Sequence, residues 1–128
     1  MKNKKTRLFA FISYKNSENL IAGKIKEILS EYGIDSFLAH KDIAVSRVWQ
    51  EEILKNIKLA TLFICILSKK YLESGYCMQE SGMAEILNIP IIPLSYDGTT
   101  SPGFISKYQS KKINQAVLNN LRITVWCK

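Results

Sequence analysis

The stretch Ala60 to Leu67, ATLFICIL, is the most apolar run in the chain, and apolar and polar residues do not alternate within it. A strand with one wet face alternates because successive side chains point to opposite sides. A short run without alternation reads as a strand buried on both faces, the mark of a parallel sheet covered by helices. Similar runs occur at Leu8 to Ile12 (LFAFI) and Ile89 to Leu94 (IPIIPL), with a shorter one at Ile34 to Leu38 (IDSFL).

Helical patterns lie between these runs. Ser17 is placed to cap a helix whose apolar stripe is Ile21, Ile25, Ile28 and Tyr32, with Gly33 as a left-handed stop. Ser46 is placed to cap a second, with Trp49, Ile53 and Ile57 one turn apart. A third is expected from about Tyr76 to Asn88, ended by Pro90. Strand and helix alternate regularly, so the fold class is α/β, a central parallel sheet of about five strands flanked by helices with right-handed crossovers. Beyond Leu94 the pattern weakens to a turn-rich loop, SYDGTTSPGF, and then a helix expected from about Lys111 to Leu121 with Ile113, Val117 and Leu121 on one face. The tail RITVWC reads as a fifth strand or as the start of a further segment.

With 128 residues the chain fits one domain, residues 1–6 forming a basic tail and residues 122–128 the last strand or that further segment. A folded domain of this length buries roughly two-thirds of the surface its unfolded chain exposes. No apolar run approaches the roughly 18 residues that span a bilayer, so a soluble protein without membrane contact is expected. The start MKNKKTRLFAFIS has the charge order of a signal peptide, but its apolar part is too short to act as one. Cys65, Cys77 and Cys127 form no C-x-x-C pair, which suggests neither a disulfide framework nor a zinc site and fits a reducing cytoplasm. His40 is the single histidine, so no metal centre is expected. The net charge of +7 attracts polyanions, but its plainer reading is a solvated face and a loose tail, and with no recognisable motif no specific nucleic acid is expected. The glycines are spaced too irregularly for a dinucleotide fingerprint or a phosphate loop.

The segment after the central run, SKKYLESGYCMQES (Ser68 to Ser81), carries an acid where an apolar residue is expected. On a helix, Tyr76, Glu80, Met83, Ala84 and Leu87 fall on one stripe, so Glu80 points inward. With Ser74 or Gly75 as the cap, Glu80 lies beyond the first turn, where the helix dipole favours acids. Glu85 falls off the stripe and reads as a solvated surface charge. An inward carboxylate has two readings: a partly buried acid paired with a lysine or a helix terminus, or a carboxylate at the lip of a cleft, where low dielectric strengthens its action on a ligand. Spacing alone does not choose between them. The runs FIS-Tyr14, ILS-Lys69 and PLS-Tyr96 each place a serine at the carboxyl end of a strand, where open α/β sheets bind ligands, although serine is also a common strand-to-helix punctuator.

FISYKNSEN, the loop and helix HKDIAVSRVWQEEI, and SKKYLESGYCMQE followed by IPIIPLS resemble the successive motifs of a Toll/interleukin-1 receptor (TIR) domain. The resemblance implies a flavodoxin-like sheet. Such domains divide into scaffolds that assemble signalling complexes and enzymes that cleave nicotinamide adenine dinucleotide (NAD+). The pattern S-x-x-Y-x-x-S-x-Y-C-x-x-E places the enzymatic branch's catalytic glutamate at Glu80. Tyr76 then stands one turn earlier, where tryptophan is more typical, and Phe11 matches an aromatic bordering the nicotinamide. Ser13 and Ser68 match strand-end positions near the ribose and phosphates, and the loop from Asp42 to Trp49 contributes to a site built across neighbouring subunits.

The resemblance thus implies an NAD+ nucleosidase of bacterial antiphage type. It would release nicotinamide with ADP-ribose or a cyclic isomer, using NAD+ as substrate and no cofactor. The implied partners are further copies of the chain, in a homo-oligomer or filament, and a downstream effector or fused sensor domain. The alternative is a non-catalytic scaffold acting by self-association.

Overall fold

The computed structural model describes residues 8–39 and 47–113. Strands β1 (Phe9–Ser13), β2 (Asp35–Leu38), β3 (Leu62–Leu67), β4 (Ile91–Ser95) and β5 (Lys111–Lys112) form one parallel sheet in the order β2-β1-β3-β4-β5. Helices α1 (Asn19–Glu31), α2 (Arg47–Leu59), the single-turn α3 (Lys69–Leu72) and α4 (Gly75–Ile86) connect them. This is the flavodoxin-like doubly wound order.

The two-residue period of the strands sorts the core into two layers. Ala10, Ile12, Ile64 and Ile66 pack against Ala22, Ile25 and Leu29 of α1. Phe11, Phe63, Cys65 and Leu67 pack on the opposite face against Ile53 and Ile57 of α2 and Cys77 and Ala84 of α4. Both faces of β1 and β3 are therefore covered, which is why their sequences do not alternate. Phe11 is in register with Phe37 on β2 and Phe63 on β3. Its ring stacks at 5.6 Å on Phe63 and tilts at 5.4 Å to Phe37, with Trp49 of α2 a further 6.1 Å from Phe37.

Several element ends differ from expectation. Helix α1 starts at Asn19, with Glu18 as its cap, because Ser17 lies within a 3₁₀ turn (Asn16–Glu18) and donates its hydroxyl to the Glu18 carboxylate at 2.8 Å. Gly33 does end the helix, at φ 76°, with the Ile34 N–H bonded to the Leu29 carbonyl. Helix α4 stops at Ile86, before Pro90 has any effect. Asn88 adopts the left-handed φ of 58° and the Ile89 N–H closes on the Ala84 carbonyl, asparagine being one of the few residues that enters this region readily.

The helix expected from Lys111 begins instead as a strand. Lys111 and Lys112 pair with Leu94 and Ser95, and the Ile113 N–H bonds the Ser95 carbonyl at 2.7 Å, extending the ladder by one residue. Ile113 still buries its side chain, in the layer shared with α1. The fifth strand therefore comes before the RITVWC tail, which lies outside the described residues together with the rest of that helix, His40, Asp42 and Ser46.

Candidate active site

In this strand order the connections leave β1 and β3 in opposite directions, which makes the carboxyl ends of those two neighbours the switch point at which sheets of this kind bind ligands. Ser13 ends β1 there and Ser68 follows β3. The Ser68 side chain accepts from the Tyr71 N–H at 3.2 Å and starts α3; the Ser74 side chain accepts from the Cys77 N–H at 3.2 Å and starts α4. These two caps set the phase of α4 over the strand ends. Its buried stripe is Cys77, Glu80, Ser81 and Ala84, while Tyr76 and Leu87 sit at the margins, so the face is turned by about one residue from the stripe read in the sequence.

Glu80 is inward as expected, with 1% of its surface exposed. The Ser13 hydroxyl donates to its Oε1 at 2.7 Å, and the Tyr71 hydroxyl lies 2.9 Å from Ser13 Oγ and 3.2 Å from the Cys77 carbonyl. Burial pushes the Tyr71 phenol well above its ordinary value, as do the Cys65, Cys77 and Glu80 groups, so it stays protonated and donates. On its other side Glu80 lines a cleft of about 160 Å³ between α2 and α4, with Gln50, Ile53, Leu54, Tyr76, Gln79 and Met83. The Gln50 amide bridges the two walls at the surface, donating to the Tyr76 hydroxyl at 3.3 Å.

Each strand-end serine meets a different carboxylate. Ser13 donates to Glu80, Ser68 to Glu18 at 3.2 Å, and Ser95 to Asp97 at 3.3 Å. Glu18 is 4% exposed and also accepts from Ser17 and from the Tyr96 hydroxyl at 2.9 Å, so it ties together the segments following β1, β3 and β4. Burial and the Glu18 charge push the Tyr96 phenol up to about 12. Asp97 accepts from the Thr99 hydroxyl, the Thr99 N–H and the Lys69 N–H, and these donors hold its carboxyl below the usual range. Glu85 is a surface charge as expected, and there it ion-pairs with Lys107 and accepts from the Tyr108 hydroxyl at 3.0 Å, because the 3₁₀ turn Gly103–Ile105 carries those residues back against α4.

Of the residues singled out in the sequence, Glu80 and Tyr76 share the cleft and Ser13 touches Glu80. Phe11 is fully buried within the aromatic row under α2, Ser68 serves α3 and Glu18, and Trp49 packs on the same core layer without lining the cleft. Asp42 lies outside the described residues. Tyr71, Glu18, Gln50 and Gln79 were not singled out. Tyr71 follows the capping Ser68 by three residues and Glu18 closes the SYKNSE segment, but neither position reveals where its hydroxyl or carboxylate points.

A doubly wound sheet with a carboxylate held over its switch point, facing a cleft between two helices, places the domain in the flavodoxin-like class. The family model for the TIR domain matches residues 10–122, and the chain belongs to the TIR-domain family. A search of curated proteins finds no match.

Among solved structures, the TIR domain of the Toll-related receptor TRR-2 from Hydra magnipapillata superposes with a TM-score of 0.72 at 17% identity, over 92% of this chain and 94% of that one. The TIR domains of the activated Roq1 resistosome, which recognises the pathogen effector XopQ, give 0.59 at 22% identity, over 72% and 59%. A 2-deoxyribosyltransferase from Bacillus psychrosaccharolyticus gives 0.66 at 17% identity, over 88% and 89%. These similarities are of fold.

Proposed function

We propose that this domain cleaves the bond between nicotinamide and ribose in NAD+, with Glu80 as the catalytic carboxylate. The observation that carries the reading is a single acid, 1% exposed, whose reachable edge lines a ring-sized cleft with an aromatic at its margin. At about 160 Å³ the cleft is smaller than the roughly 300–1,000 Å³ of whole-ligand pockets. It suits one ring, with the remainder of the dinucleotide on the adjoining surface. Tyr76 and Met83 offer polarizable faces to a cationic pyridinium, and among the described residues no lysine or arginine lines the cleft to repel it.

One carboxylate is chemically sufficient. Ordinary glycosides need an acid to protonate the leaving oxygen and a second carboxylate besides. Nicotinamide in NAD+ is already cationic: as its bond to the anomeric carbon breaks, the electron pair moves to the ring nitrogen and the base leaves neutral. Positive charge then develops on the ribose, and a carboxylate in low dielectric stabilises it. Water attacking that carbon and losing one proton gives ADP-ribose; a hydroxyl or ring nitrogen of the same molecule gives a cyclic isomer. The 2-deoxyribosyltransferase of like fold is, by its name, an enzyme of deoxyribosyl transfer, which makes glycosyl chemistry reasonable on this scaffold. The reading brings its setting with it: bacterial antiphage signalling in the cytoplasm, self-association into an oligomer or filament, and a sensor or effector partner.

Ile86 and Phe104, 79% and 81% exposed, favour a second reading in which the domain acts as a scaffold through its surface. Incubating concentrated protein with NAD+ and resolving the products, beside Glu80→Ala and Glu80→Gln, separates the two. Nicotinamide release by the parent and by neither variant is expected. Undiminished turnover in either variant removes Glu80 from the mechanism, and an inactive parent at every concentration leaves the scaffold.

A further inference from the structure

We infer that Ser13 and Tyr71 are positioning residues for Glu80, forming a one-way chain of donors that holds the carboxylate ionised and aimed at the cleft. The inference rests on the catalytic reading of Glu80. It differs from a substrate-binding role for Ser13, because the Ser13 side chain is fully buried and its hydroxyl proton lies on Glu80.

The direction of the chain follows from counting protons. A serine hydroxyl has one, and at 2.7 Å it lies on Glu80 Oε1; in the 2.9 Å contact with Tyr71 the serine oxygen must therefore accept. Tyr71 supplies that proton in a forked arrangement with the Cys77 carbonyl. The Cys77 carbonyl belongs to α4 itself, so the same phenol ties the helix that carries Glu80 to the strand end that carries Ser13.

Among the described residues, Cys65 from β3, Cys77 from α4 and Glu80 itself act electrostatically on Tyr71 of α3, and Tyr76 of α4 lines the cleft with Glu80. Burial pushes the Cys65 thiol up and the Tyr71 phenol up, so both stay neutral along the donor chain. A donor aimed at a charged acceptor in such surroundings favours the ionised form and fixes its angle. Both matter to a group that must meet positive charge at one atom of the substrate.

The test is Ser13→Ala, Ser13→Thr and Tyr71→Phe beside the parent, with NAD+ as substrate. Ser13→Ala is expected to lower kcat on the order of 10- to 100-fold, the scale of a small misplacement of a catalytic group, with KM changed less than about twofold. The acid limb of its pH–rate profile moves to higher pH, because the carboxylate has lost a donor to its charged form. Ser13→Thr, which keeps the hydroxyl, recovers most of the rate, and Tyr71→Phe gives a smaller loss in the same direction.

A raised KM with unchanged kcat in Ser13→Ala would mean the hydroxyl touches substrate and would overturn the inference, as would an unmoved acid limb. A parent that releases no nicotinamide defeats the catalytic reading itself. The donor chain is then read without turnover, in protein labelled with ¹³C at the glutamate carboxyls. The Glu80 resonance should titrate at higher pH in Ser13→Ala than in the parent, and identical curves would overturn it.

Discussion

Replacing Glu80 by glutamine separates an acid kept for function from one kept for the fold. Glutamine preserves the shape and leaves an oxygen to accept from Ser13, so the 2.7 Å bond survives as a neutral one. A hydrogen bond to a charged group contributes about 1.5–3 kcal/mol and a neutral one about 0.5–1.5, so the loss there is about 1–1.5 kcal/mol. Against it stands the cost of holding a carboxylate that is 1% exposed, several kcal/mol per ion even after relaxation, which glutamine removes.

The balance favours the variant by about 1–2 kcal/mol, which in a domain of this size raises Tm by roughly 3–8 °C. Urea denaturation at neutral pH with a shared slope gives the free energy, and product analysis with NAD+ gives the activity. The expected pair is a more stable protein without turnover, the pattern of a site that trades stability for chemistry. A loss of 2 kcal/mol or more on Glu80→Gln would refute the reasoning and identify the acid as a structural partner.

Three further outcomes follow from other parts of the fold. Phe11→Leu removes ring contacts with Phe63 and Phe37 and should cost about 1–2 kcal/mol in urea denaturation while KM for NAD+ moves less than about twofold, because the ring packs within the core; a large KM change would return Phe11 to the substrate wall. Ser74→Ala removes the α4 cap and should cost about 1 kcal/mol, read in the same titration. The folded-state pKa of Asp97 is depressed, so its stabilising effect is complete above the usual carboxylate range and is lost as pH falls through the folded value; Asp97→Asn should flatten the acid side of the stability–pH curve and leave its alkaline side unchanged.

The sheet was legible because burial on both faces leaves a signature that needs no knowledge of neighbours: Ala60 to Leu67 and Leu8 to Ile12 lack alternation for the reason seen in the two core layers. Element ends were less legible. Ser17 carries the right hydroxyl for a cap, but a 3₁₀ turn places it one step early, and only the fold decides that Glu18 takes the position. Lys111 and Lys112 read as the start of a helix because a two-residue edge strand has no periodicity to detect.

Within the site, helical spacing sufficed to turn Glu80 inward. The partners of Glu80 were not legible, because Ser13 and Tyr71 are 67 and 9 positions away in sequence and meet only through the crossover between β1 and β3. Glu18 was invisible as a buried acid for the same reason: its three hydroxyl donors come from separate segments, as far apart as Ser17 and Tyr96.

Among the described residues the sheet is bounded by β2 on one side and β5 on the other. The strand β5 is two residues long and carries Lys111 and Lys112, and at β2 the Lys26 ammonium donates to the Ser36 carbonyl at 2.6 Å. Short, lysine-bearing or already occupied margins are poor templates for another chain's backbone. A polymer of this domain would therefore grow by contacts between helices and loops, whose affinity depends on side chains and falls apart on dilution, and would lack the near-irreversible ladder of an amyloid.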